Sequence, residues 1–360
     1  MIIDRIDPIA LCVPFQHRAN AVAGQKTALH LLFCRVTTRS GLVGYGESLC
    51  IQAGMQASLA ATIRDIVAPL FVGQSVEQRQ ALNLETRRRF ASFGRAGTIL
   101  NALGAVDTAL WDIAGKAAGQ SLSTMIGGAK RTRVPVMASL DRFNHAGHVR
   151  ARVEQALASN VAAVKVHEFD LDVIEAARRP VGATLPFVAD CNGAHALADI
   201  RRDSARWRAL SLLWLEDPVW PPEDILAMSA LPGIPIGLGA DLGSAEQLAL
   251  YARAPAVAVA QPDVGMIGGV TEAIRAIAAL GTLDVSVAPH TPFLGPAVLA
   301  SLHLIAAMEA PAYFATIDAE EHMDPYGIGL ARWKPDLDVP TGPGLGHDPD
   351  PAWLKRYTIA

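Results

Sequence analysis

"VAAVKVHEF", residues 161–169, begins as an apolar strand and ends with Lys165 and His167, two residues apart and so on one face of that strand. It belongs to a series. Short apolar runs recur from residue 134 onward: "VPVMASL" (134–140), "VAAVKVHEF", "PFVADCN" (186–192), "LLWLEDP" (212–218), "PIGLGAD" (235–241), "AVAVAQPD" (256–263), "DVSVAPH" (284–290) and "FATIDAE" (314–320). Spacings of roughly 20–30 residues leave room for a helix in each gap. Eight such units in a row predict a closed parallel barrel. An open doubly wound sheet is the alternative, but it usually carries a Gly-rich phosphate turn after its first strand, and "VPVMASLDRFNHAG" (134–147) has none.

The residues before this series read differently. "LHLLFCRVTT" (29–38) and "LVGYGES" (42–48) predict two strands joined by a turn at "RSG". Helical spacing follows over 57–71, 76–90 and 99–118, with Gly119 suited to a helix end. The tail, "DVPTGPGLGHDPDPAWLKRY" (338–357), is rich in Pro, Gly and Asp and reads as irregular chain returning to the first domain. The expected division is a capping domain over 1–125, a barrel over 126–335 and a returning segment over 336–360.

Composition narrows the function classes. Of 360 residues, 51% are apolar and 18% charged, enough for a large core and too apolar for intrinsic disorder. A net charge of −4 without a basic stripe argues against nucleic acid as a partner. Every long apolar run is interrupted before the roughly 18 residues of a membrane span. "MIIDRIDPIALCVPF" (1–15) has no basic n-region leading into a long apolar core. Cys12, Cys34, Cys50 and Cys191 have no CxxC spacing and read as free thiols of a reducing cytoplasm. A metal would therefore be held by oxygen.

The ends of the runs carry the chemistry, as barrel enzymes require. The second ends in Lys165 and His167, the third in Asp190 and Asn192, and the fourth in Glu216 and Asp217. Asp241, Asp263 and His290 close the fifth, sixth and seventh, and Asp318 and Glu320 the eighth. A single Asp after a strand is usually a helix cap or turn residue. Recurrence at one end of seven consecutive strands is not explained that way. Asp190, Glu216 and an acid on the fifth strand repel one another unless a cation lies between them, and Mg²⁺ suits such oxygen ligands. Lys165 and His167 stand on one flank and His290, paired with Asp263, on the other. That set suits removal of a proton next to a carboxylate, a step that creates an enediolate needing a cation and preplaced donors.

These residues resemble the enolase superfamily, in its mandelate racemase-like subgroup, over nearly the whole chain. "GLVGYGES" (41–48) resembles the capping hairpin of that family, "AVDTALWDIAGKAAGQSLSTMIGG" (105–128) the helix leading into its barrel, and "VKVH" (164–167) its Lys-x-His motif. "ADCN" (189–192) and "LEDP" (215–218) match two metal-ligand strands, and "QPDVGMIGGVTEA" (261–273) and "APHTPFLGPAVLASLHLIAA" (288–307) the strands of the Asp and His dyad. The resemblance implies a (β/α)7β modified TIM barrel under an α+β cap, an α/β architecture. It implies catalytic Lys165, His167, Asp263 and His290, with Asp190 and Glu216 as ligands of Mg²⁺. Two departures stand out. Relatives place Glu on strand five, where this chain has Ala240. Asp241 either bulges back to become the third ligand or turns outward. Asp318 stands where relatives often carry Glu.

The expected partner is a small carboxylate, a sugar acid or lactone, contacted by Asn192, Asp318 and the capping-loop residues His17 and Lys26. Relatives also imply a homo-oligomer. Acid-sugar dehydration leads the readings, with lactone cycloisomerisation or racemisation as alternatives. A Schiff-base aldolase using Lys165 and a non-catalytic binder, suggested by Ala240, are the readings from other classes. Trp220, after the fourth run, either walls the pocket or packs on its rim.

Overall fold

The computed structural model describes residues 1–16, 26–226, 231–310 and 312–359. Three antiparallel strands, β1 (Ile3–Pro14), β2 (Ala28–Thr38) and β3 (Val43–Ser48), form the cap sheet. The sequence reading missed β1. Alternation decides which way β2 faces. Leu32, Cys34 and Val36 pack into the cap core with Leu59, Ile63 and the helix Thr98–Ala118, while Leu31 and Phe33 join the larger core of the barrel. Both faces of the sheet are therefore covered. The helix Thr98–Ala118 is buried throughout from Leu100 to Gly115, and it approaches β3 so closely that a Cβ on Gly46 would lie 1.8 Å from the Ala105 carbonyl oxygen. The glycines of "GYG" are what let strand and helix meet.

Eight parallel strands follow: β4 (Arg133–Leu140), β5 (Ala163–Val166), β6 (Phe187–Asp190), β7 (Trp214–Glu216), β8 (Ile236–Leu238), β9 (Val257–Ala260), β10 (Ser286–Val287) and β11 (Phe314–Ile317). From β4 to β10 each pairs with the next in sequence, and β11 returns to lie beside β4. That order is a curled (β/α)7β barrel and not a doubly wound sheet, whose strand order reverses at its centre. At the seam between β10 and β11 the Thr291 hydroxyl donates to the Ala315 carbonyl at 2.7 Å. Helices cover the outside, such as Ala146–Ala158 after β4 and Val270–Leu280 after β9. Among the described residues the fourth crossover has only the 3₁₀ turn Pro222–Ile225.

Met137, Ala163, Val188, Trp214, Val259, Ala288 and Ala315 form a separate apolar cluster inside the barrel. Six of them lie on strands and Ala288 directly follows β10, and together they close its floor. The tail contains more structure than expected. Strand β12 (Asp336–Asp338) runs antiparallel to β4, a helix spans Pro351–Tyr357, and Ile359 N donates to Ala10 O of β1 at 3.0 Å. Among the described residues no helix is long and apolar enough to cross a membrane.

Candidate active site

Two residues beyond each floor residue the same face recurs. That step leads from the apolar floor to Ser139, Lys165, Asp190, Glu216, Gln261 and His290. The parallel register sets Ser139 beside Lys165 and Asp190 beside Glu216. Lys165, 2% exposed, places Nζ 2.7 Å from Glu216 Oε1 and 3.4 Å from Asp190 Oδ2. Trp214 Nε1 donates to Glu216 Oε2 at 2.9 Å, and the backbone and side-chain amides of Asn192 donate to Asp190 Oδ1 at 3.0 and 2.8 Å. Burial works against the Lys165 charge, yet Glu216 and Asp190 outweigh it and push the ammonium up to about 12. Burial likewise opposes the Asp190 charge, and His167 and Lys165 prevail, holding that carboxyl well below the usual range.

The two histidines have fixed tautomers. His167 Nδ1 lies 2.6 Å from the Leu140 carbonyl, which only accepts, so Nδ1 carries its proton and Nε2 is the nitrogen that exchanges. Nε2 sits 3.2 Å from Asp190 Oδ2. His290 Nδ1 lies 2.6 Å from Asp263 Oδ2, again leaving Nε2 to exchange. Asp263 is fully buried and accepts from Gly265 N and Met266 N through Oδ1. Burial raises its pKa, and the bond from His290 pulls it back. Lys165, His167, Asn192, His290 and Asp318 line one cavity of about 400 Å³, closed from the cap side by Lys26, His30 and Glu47 among others.

A third carboxylate joins Asp190 and Glu216. Asp190, Glu216 and Asp217 bring ligand oxygens within 4.8 Å of one another. The Asp217 carboxyl has no hydrogen-bond or ion-pair partner among the described residues, and burial, with Asp190 and Glu216 nearby, holds it well above the ordinary range. The two carboxylates beside it are what disfavour the Asp217 charge, and a cation among the three reverses that, so these hard oxygen donors fit a divalent cation such as Mg²⁺. Asp241 stands outside that group and is exposed. The alternation on β8 explains why. A Cβ on Gly237 would strike the Trp214 ring inside the barrel, whereas one on Gly239 would strike Leu248 of the outer helix. The strand has already slipped by Gly239, Ala240 is buried, and Asp241 turns outward.

Comparison with known proteins agrees with this architecture. Residues 148–353 match the family model for the enolase C-terminal domain-like fold, and residues 6–127 match that for the mandelate racemase / muconate lactonizing enzyme N-terminal domain. The chain belongs to the enolase superfamily, in its mandelate racemase-like branch. It is 26% identical over 335 residues to the arabinonate dehydratase of Saccharolobus solfataricus, covering 89% of this chain and 88% of that one. It is 29% identical over 328 residues to the D-galactarolactone cycloisomerase of Agrobacterium fabrum, covering 85% of each. The crystal structure of the 3,6-anhydro-D-galactonate cycloisomerase from Zobellia galactanivorans superposes with a TM-score of 0.84 at 25% identity over 100% of both chains.

Within this enolase superfamily fold the remaining candidates are distributed as follows. Lys26 lines the cavity and pairs with Asp141 at 3.6 Å. Asp318 lines it too, but its carboxylate is taken by Arg152, whose Nε donates to Oδ2 at 2.9 Å and whose Nη2 reaches Oδ1. His17 lies outside the described residues. Trp220 is 69% exposed and is not among the lining residues. Sequence reading missed Arg142, Arg152 and Glu47. Arg152 comes from the outer helix Ala146–Ala158, where nothing local distinguishes it from a solvated arginine. Glu47 had a signal, an acid ending a strand between glycine and serine. Its Oε2 accepts from Gly295 N and Ala297 N at 3.0 and 3.2 Å.

Proposed function

We propose that this protein dehydrates a sugar acid by Mg²⁺-assisted removal of the proton α to its carboxylate. The observation that carries the reading is a pair of histidines lining one cavity with Lys165, each with Nδ1 committed and Nε2 left to exchange a proton, and a carboxylate cluster that meets Lys165 Nζ and His167 Nε2. Asp190, Glu216 and Asp217 would hold the cation, which when bound supplies positive charge that acidifies the α-proton. Lys165 remains an ammonium and offsets charge growing on the substrate carboxylate. His167 takes the α-proton at Nε2. His290 gives a proton from Nε2 to the hydroxyl leaving the next carbon, which departs as water. Asp263 holds the ring of His290 in place throughout. The enol that remains becomes a 2-keto-3-deoxy acid.

The sugar-acid class is supported by the relatives, a dehydratase and a lactone cycloisomerase. Cycloisomerisation is the second reading, with the ring oxygen of a lactone as leaving group and the same two histidines in the same roles. A Schiff base on Lys165 finds no support, because Glu216 and Asp190 stand 2.7 and 3.4 Å from its Nζ and favour the ammonium, which has no lone pair to offer. The test is a screen of acid sugars and their lactones with Mg²⁺, read as keto-acid formed, with His290→Asn alongside. Turnover by the wild type and a loss of about 100-fold or more in the variant are expected. No keto acid and no isomerised lactone from any member of the screen would defeat the reading.

A further inference from the structure

Arg142 follows β4, in a loop stitched to the one after β5, where Phe143 N and Asn144 N donate to Glu168 at 2.7 and 3.1 Å. Its guanidinium is held from three sides. Nε donates to the His167 carbonyl at 3.2 Å, Nη2 donates to Asn192 Oδ1 at 2.9 Å, and the central carbon lies 3.6 Å from the centre of the Phe169 ring. Every one of these partners is neutral. Of the other charged residues lining the cavity, Lys26 pairs with Asp141, Asp318 with Arg152 and Lys165 with Asp190 and Glu216, while Glu47 accepts from the Gly295 and Ala297 backbone amides. Glu168, whose carboxyl feels the Arg142 charge, is spent on two backbone amides. Among the described residues Arg142 is thus a cavity-lining cation with no carboxylate within ion-pair distance, its orientation fixed and N–H groups left over.

We infer that Arg142 receives a second carboxylate of the substrate, so that the sugar acid is a diacid, or the lactone of one. A planar guanidinium whose geometry is set beforehand suits a carboxylate better than a hydroxyl. The path from Arg142 through Asn192 and Asp190 to Lys165 consists of two hydrogen bonds and one ion pair, so the two anion-binding groups share one cavity. The first carboxylate meets the cavity at Lys165, whose two acid partners are those that would hold the cation, and the second meets Arg142. This inference rests on the sugar-acid reading above and adds the chemical class to it.

The test compares a six-carbon sugar diacid with the monoacid of the same configuration. Both are assayed with Mg²⁺ on the wild type, Arg142→Gln and Arg142→Lys. The wild type should favour the diacid, and Arg142→Gln should lower the diacid-to-monoacid ratio of kcat/KM on the order of 100-fold, mainly through KM. Arg142→Lys should recover part of that ratio. Equal losses for both substrates, or a wild-type preference for the monoacid, would overturn the inference and leave Arg142 as a support for Asn192. Calorimetric binding of the same two acids to His290→Asn, with and without Arg142→Gln, separates the two levels. Diacid binding that needs Arg142 without turnover by the wild type would refute the dehydratase reading alone. Turnover with binding indifferent to Arg142 would refute the diacid alone.

Discussion

Asp217 and Asp241 show how one residue's backbone decides its chemistry. Asp217 directly follows β7 and Asp241 lies three residues beyond the end of β8, and only Asp217 joins Asp190 and Glu216. On a regular strand Asp217 would face away from its neighbour Glu216. Its φ of 39° lies in the left-handed region, and that local turn allows two consecutive acids to meet one cluster. The sequence does not announce this turn, so Asp241 is the natural candidate on paper and Asp217 emerges only in three dimensions. Asp217→Asn should weaken Mg²⁺ binding by about tenfold or more in a calorimetric titration without substrate, and Asp241→Asn by less than about twofold. Equal losses would mean that Asp241 swings inward on metal binding.

At the scale of elements, Glu47 joins strand β3 of the cap to the helix Pro296–Ala307 of the barrel. Burial pushes its carboxyl up to about 8, against the pull of the Ala297, Gly295 and Leu294 amides. An unfolded chain would titrate this group near 4.5, its ordinary value. Between those two values the folded protein binds more protons than the unfolded one. This contribution to stability is therefore complete below the lower value and is lost as pH rises through the upper. Glu47→Gln cannot ionise and should escape the loss. Its melting temperature relative to wild type should be higher at pH 8 than at about pH 5, measured by thermal unfolding in matched buffers. A difference independent of pH would show that Glu47 is ionised in the fold.

For the molecule as a whole, the division of labour between barrel and cap decides what can be read from the chain. The barrel is legible because its strands are short and apolar and their ends carry Lys165, Asp190, Glu216, Asp263 and His290 in one pattern. Alternation then turns a list of strand ends into a layer facing one cavity. Contacts that join separate elements are not legible in this way. The Arg152–Asp318 pair links an outer helix to the eighth strand, and Glu47 links cap to barrel. Strand β1 escapes notice because Asp4, Arg5, Asp7 and Pro8 interrupt its apolar pattern, although pairing with β2 along its length holds it in the sheet.

The account stands on two histidines with separate duties, one at the α-carbon and one at the departing group. Solvent-hydrogen exchange at the α-carbon, followed by NMR in D₂O with Mg²⁺ and a sugar acid the wild type turns over, tests it most directly. His290→Asn should continue to exchange the α-proton while forming no keto acid, and His167→Asn should do neither. Exchange that persists in His167→Asn, or that disappears only with His290, would contradict it.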